Sequence, residues 1–173
     1  MKKFITGIMT IILITSCNSH RNNYIIKIYS GEYDAVGVPS GYINSKGDTI
    51  IPVGKYYYCY TDTVRNLGIV MEKGGRIIGI DRKGNELFEV FKYDNGPDYV
   101  SDGLFRIIKN GEIGYADING KVKIKPQFNC AYPFKNGVAK VSKKCITEKM
   151  GEYSIWKSDN WFNIDKQGRQ IKK

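Results

Sequence analysis

The chain has 173 residues, 13% of them aromatic, and carries 27 basic against 17 acidic side chains, a net charge of +10. That length suffices for one domain with a core of its own. The one histidine, His20, stands near the amino end, which excludes a Ser-His-Asp or Cys-His triad and a histidine-based zinc site from the folded part.

The first element is a signal. Met1-Lys2-Lys3 is a short positive start, and residues 4–15 are mostly Ile, Met and Leu without charge. Such a run has the length of a secretory signal core and is too short to span a bilayer, which takes roughly 20 residues. It ends Leu13-Ile14-Thr15-Ser16-Cys17, which resembles the bacterial lipobox. The resemblance implies a signal peptide over 1–16, cleavage before Cys17 and lipidation of that cysteine, with more than one acyl chain for a stable anchor. Asn18, where Asp would retain many such proteins at the inner membrane, points to the outer membrane; the leaflet stays open. The polar stretch after Cys17 reads as a tether within segment 17–30, which also holds a possible first strand. A basic surface on an anchored chain suits anionic headgroups; an exported protein seldom meets nucleic acid, so none is expected as a partner.

The body of the chain, 31–173, repeats itself. Four segments share Asp or Asn, two residues, then Gly: Asn44 to Gly47, Asp81 to Gly84, Asp117 to Gly120 and Asp165 to Gly168. The side-chain oxygen of Asp or Asn can bond the backbone two residues on, and Gly supplies the positive φ that closes a hairpin turn. Gly47, Gly84, Gly120 and Gly168 are therefore structural turn glycines. A strand leaves each turn, at 49–51, 86–88, 121–125 and 169–172. The run Lys121-Val122-Lys123-Ile124-Lys125 alternates strictly, predicting one lysine face and one buried aliphatic face. Pro52 and Pro126 are expected to end their strands. A further strand precedes the next hairpin at 67–71, 103–108 and 137–141. An insertion over about 145–159 lengthens the last interval. No stretch after the signal has helical periodicity over ten residues, so the predicted class is all-β, without substantial helix.

The run from Gly103 through Gly111-Glu112-Ile113-Gly114-Tyr115-Ala116-Asp117-Ile118-Asn119-Gly120-Lys121 to Phe128, with Phe134 to Val141, resembles the WG repeat family. Its unit reads approximately G-L-A-x-V, then K-W-G-Y-I-D, two residues, G-K and an aliphatic strand ending I-P. The likeness covers roughly 33–173. The namesake Trp is replaced by Ile113 in the best repeat and is read as Ile78 in the second; Trp161, near the last, is followed by Phe162. The resemblance implies an array of three to four β-hairpin or three-stranded units, elongated or curved, whose apolar faces are buried only by stacking on neighbours. It implies no catalytic motif.

Site chemistry is sparse. Neither a phosphate loop nor a dinucleotide fingerprint occurs, and no catalytic residue, metal ligand or cofactor is expected. Asp94, Asp98 and Asp102 are spaced poorly for calcium and well for turns. Cys59, Cys130 and Cys145 permit at most one disulfide, whose pairing stays open, with buried single thiols as the other reading. In Tyr56-Tyr57-Tyr58-Cys59-Tyr60 a strand would put Tyr56, Tyr58 and Tyr60 on one face, either as core or as a ligand-binding platform. The expected function is a non-enzymatic, lipid-anchored binding module of the bacterial envelope for a protein or glycan. The alternatives are a hydrolase with a carboxylate pair and a passive spacer.

Overall fold

The computed structural model describes residues 23–31 and 38–171. Every regular element among them is a β-strand. The first repeat holds β1 (Ile25–Tyr29), β2 (Ser40–Asn44) and β3 (Thr49–Ile51). A link follows with β4 (Tyr58–Cys59) and β5 (Thr63–Val64). The second repeat holds β6 (Gly68–Met71), β7 (Ile77–Ile80) and β8 (Glu86–Val90), and is followed by the small hairpin β9 (Lys92–Tyr93) and β10 (Gly96–Pro97). The third holds β11 (Leu104–Lys109), β12 (Glu112–Asp117) and β13 (Val122–Phe128). The fourth, after β14 (Cys130–Ala131), holds β15 (Ala139–Ser142), the inserted hairpin β16 (Ile146–Met150) and β17 (Tyr153–Lys157), then β18 (Phe162–Ile164) and β19 (Gln170–Ile171).

The four turns are built identically. Oδ1 of Asn44, Asp81, Asp117 and Asp165 each accepts two backbone N–H groups, two and four residues on, at 2.8–3.0 Å. Gly47, Gly84, Gly120 and Gly168 close them at φ of 87°, 79°, 80° and 79°. Partial burial acts to raise the carboxyls of Asp81, Asp117 and Asp165, but the hydrogen bonds they accept outweigh it and hold them below the ordinary range.

Repeats are joined because the chain leaving each hairpin pairs with the first strand of the next repeat. Cys59 lies opposite Val70, Val90 opposite Ile107 and Ala131 opposite Val141. The result is a four-stranded sheet β3-β2-β1-β5, a seven-stranded sheet β13-β12-β11-β8-β7-β6-β4 and a four-stranded sheet β14-β15-β18-β19. Each junction has its own core. Ile25, Tyr42 and Ile51 meet Val70, Ile78 and Ile80. Ile77 and Phe88 meet Phe105, Ile107 and Ala116. Leu104, Ile113, Tyr115 and Ile124 meet Ala139, Val141 and Ile164. A hairpin cannot bury its own face, and here its neighbour does so.

Some sequence expectations change. β13 runs through Pro126 to Phe128. The proline fits because it faces Gly114, where a Cβ would come within 2.5 Å of its nitrogen, and because the pairing slips there. The same slip leaves Val122 40% exposed, so the lysine strand buries Ile124 rather than a whole aliphatic face. Four residues before each turn Asp stand Ile77 and Ile113, so Ile77, not Ile78, occupies the position of the namesake Trp. Two of the three cysteines pair: Cys130 is bonded to Cys145, with Cα atoms 6.0 Å apart, while Cys59 is a buried thiol.

Candidate functional site: an aromatic strip over the third and fourth repeats

Tyr56, Tyr58 and Tyr60 do not share one face, and Tyr56 follows the core reading. Tyr56 is 6% exposed and packs in the first junction core with Cys59 and Val64. The chain bends before it enters β4, so strand alternation does not extend back to Tyr56. Tyr58 and Tyr60 are half-buried and stand edge to face, with centroids 4.9 Å apart. Burial pushes the Tyr56 and Tyr60 phenols up. Asp98, in the loop just after β10, is a buried ion-pair partner. Cys17, His20 and the signal segment 1–16 lie outside the described residues. No described helix is long and apolar enough to cross a membrane.

Tyr60 nevertheless marks a recurring position. Its backbone N–H donates to Ile69, as that of Phe91 donates to Arg106 and that of Tyr132 to Lys140, at 2.9–3.0 Å. One aromatic ring therefore enters each junction at the same register. At the later junctions other rings gather round it. Tyr93 and Tyr99 meet at 5.4 Å. Phe91 meets Trp156 at 6.0 Å, and Tyr132 meets both Trp156 and Trp161 at 5.4 Å. Tyr93, Tyr99 and Tyr132 are 54%, 50% and 41% exposed. Six rings, including both tryptophans of the chain, make up this strip: Phe91, Trp156, Tyr132 and Trp161 touch in turn, and the Tyr93–Tyr99 pair is bridged to Phe91 by Arg106.

Two cations underlie it. The Arg106 guanidinium lies 4.1 Å from the Phe91 ring and 5.8 Å from that of Tyr93. Lys140 Nζ lies 4.9 Å from the Trp161 ring. Arg106 is clamped. Its Nε and Nη2 donate to the two carboxylate oxygens of Asp98 at 2.9 and 2.5 Å, and its Nη1 donates to the Ala131 carbonyl at 3.2 Å. Both side chains of this pair are buried, at 4% and 0% exposure.

The strip is fixed from behind. The hydroxyl of buried Tyr115 donates to the Tyr132 carbonyl at 2.7 Å. Tyr42 does the same to Thr61 in the first repeat, at 2.6 Å. Burial drives both phenols far above their ordinary range. Trp156 belongs to the inserted hairpin, whose base is closed by the Cys130–Cys145 bond and by Ser142 and Ser158, 2.8 Å apart. Rings held this way offer rigid apolar area with polar hydroxyls, which suits contact with a partner surface.

The carboxylates lining the surface clefts are already engaged. Glu86 and Glu89 face Arg76, and Asp117 faces Lys123 at 3.2 Å. Among the described residues no group of three His, Cys, Asp or Glu side chains could hold a metal ion.

Trp161 and the segment before Tyr132 were visible in the sequence as parts of the repeat. Phe91, Tyr93, Tyr99 and Trp156 were not, because they come from separate segments that only the junction brings together.

No curated protein and no solved structure matches the chain. The family described as WG containing repeat matches residues 41–75 and 113–144, which are the hairpins of the first and third repeats with the links that follow them and the first strand of the next repeat. Those are the two repeats with Gly-Tyr ahead of the turn and a buried tyrosine hydroxyl on the link carbonyl. Both of these segments are therefore WG repeats.

Proposed function

We propose that this protein is a non-enzymatic binding module of the bacterial envelope, anchored by lipid on Cys17, whose aromatic strip contacts a protein or glycan partner. The observation that carries this reading is the gathering of six rings, four in one cluster and a pair bridged to it by Arg106, with three of them open to solvent by two-fifths or more. Open aromatic area on a rigid support suits sugar rings and protein side chains alike. The engagement of the cleft carboxylates supports the non-enzymatic reading. The anchor is supported by the sequence around Cys17 and by the short stretch from there to β1.

The test is a binding screen of the full chain against glycans and envelope proteins, beside a variant with Tyr93→Ser, Tyr99→Ser and Trp161→Ser. Tyr57→Ser, at a 61% exposed ring away from the strip, is the control. A partner lost by the triple variant and kept by the control supports the strip. A partner bound equally by all three refutes it. Cys17→Ala should abolish incorporation of labelled fatty acid in cells.

A further inference from the structure

The molecule carries one cleft twice. The first, of about 610 Å³, lies between the turns of the first two repeats. The second, of about 470 Å³, lies between those of the third and fourth. They correspond at seven positions, while Ser45 and Lys46 line only the first. Ile25 lies opposite Asn44 across the first hairpin as Leu104 lies opposite Asp117 across the third. Arg82 donates from the second turn to the Asn23 carbonyl at 2.7 Å. Lys166 donates from the same position of the fourth turn to the Asp102 carbonyl at 2.6 Å.

Their charge differs. The described lining of the second cleft balances Lys123 and Lys166 against Asp102 and Asp117. The described lining of the first contains Lys46, Arg82 and Lys83, with no carboxylate. Asn23 and Lys83 stand where the second cleft has Asp102 and Gln167, and Lys46 lines only the first cleft; a further charge comes from an exchange within the turn. Other turns put the carboxylate first, as in Asp81 bonded to Asn85, but the first turn reverses the pair, with Asn44 donating to Asp48 at 2.9 Å. The carboxylate thus moves out of the cleft wall while the turn is kept. The nearest acidic groups, Asp48 and Asp81, are tied to Asn44 and to the backbone N–H groups of Lys83 and Asn85. Arg65 adds positive charge beside the wall, 5.2 Å from the Tyr24 ring.

We infer that the first cleft is a phosphate-binding site and that the second is its charge-neutralised duplicate. Two lysines and a guanidinium around one concavity suit an anion with several oxygens, because the guanidinium offers paired donors and the ammonium groups add point charge. Arg82 is held in place by the bond to Asn23, so less side-chain entropy is lost on binding. Asn23 follows Cys17 by six residues. A phosphate could reach the cleft as a lipid headgroup or as a free solute, and the chemistry is the same.

The test titrates inorganic phosphate into the full chain at fixed ionic strength, followed by backbone amide chemical shifts. A parallel arm measures flotation with phosphatidylglycerol vesicles, with phosphatidylcholine vesicles as reference. Three variants are compared. Arg82→Gln removes the held cation. Asn44→Asp with Asp48→Asn moves the carboxylate into the wall and reproduces the Asp81–Asn85 pair that the second turn already uses, so the fold is kept. Asp117→Asn takes one negative charge from the second cleft. Binding should fall roughly three- to tenfold in the first two variants, the scale of one partly exposed charge-assisted contact. Asp117→Asn should bring new shifts to residues 117–123 and 166–167. Phosphate shifts at 44–46 and 82–83 that follow this order identify a free anion. Vesicle binding alone in the same order identifies a headgroup. Shifts spread over the surface lysines, or binding unchanged by Arg82→Gln and by the swap, overturn the proposal.

Discussion

Replacing Arg106 with Met leaves the Asp98 carboxylate in the interior without its cation. The side chain of Asp98 has no exposed surface, and three N–H groups of Arg106, two from the guanidinium and one from the backbone, fill its oxygens. Breaking a buried pair from one side costs about 3–5 kcal/mol, because the remaining charge is neither hydrated nor paired. A chain of this size shifts its melting temperature by roughly 2–4 °C per kcal/mol, so the loss should lie near 6–20 °C. Adding Asp98→Asn removes the charge and keeps an acceptor for the Arg106 backbone N–H. The double variant should therefore recover at least half of the loss. Thermal and urea unfolding by circular dichroism measure both. A single variant costing under about 1 kcal/mol would mean that the carboxylate finds water, and the pair would not be the desolvated support argued above. A double variant no more stable than the single would refute the charge argument itself.

Three other outcomes follow from the geometry. Gly114→Ala should destabilise by about 3 kcal/mol or more, since its Cβ would lie 2.4 Å from the Ile124 carbonyl oxygen; Gly96→Ala, with open space around it, should be near neutral in the same urea titration. Reduction of Cys130–Cys145, which closes a loop of 15 residues, should cost about 3 kcal/mol, and hydrogen exchange should rise first in β16 and β17. Asp81, Asp117 and Asp165 have folded values below their unfolded ones, so their contribution is present above the ordinary carboxylate range and is lost as pH falls through the folded values; melting temperature should drop on acidification below about pH 4, and less so in a variant with all three changed to Asn.

The hairpins were legible because their information is local. An Asx oxygen, two polar residues and a Gly specify one turn wherever they occur, and all four glycines take the expected positive φ. The all-β class and the family followed from the same pattern. Strand grouping was less legible. Ile25–Tyr29 pairs with β2 and completes the first repeat, although residues 30–39 separate them in sequence. Tyr56 misled because alternation holds only within a strand, and β4 is two residues long. Pro126 misled because a proline is tolerated where the opposing residue is Gly114 and the ladder slips. The aromatic strip had no local signature at all: Tyr99, Tyr132 and Trp156 come from three segments, each unremarkable alone. The disulfide was undecidable from spacing and follows from the insertion returning Cys145 to the strand edge that holds Cys130.

β1 also governs how the molecule bears load. It is the first described strand of the fold. β1 is hydrogen-bonded along both edges, over five positions to β2 and at its start to β5, and the Lys27 backbone N–H adds a bond to the Asp62 carbonyl. A pull along β1 therefore shears two ladders together instead of peeling one bond at a time. Force entering there reaches the second repeat through β5 and β4, so the first two repeats must yield as one mechanical unit. A pull between the amino end and the far repeats would thus meet a strand braced on both edges.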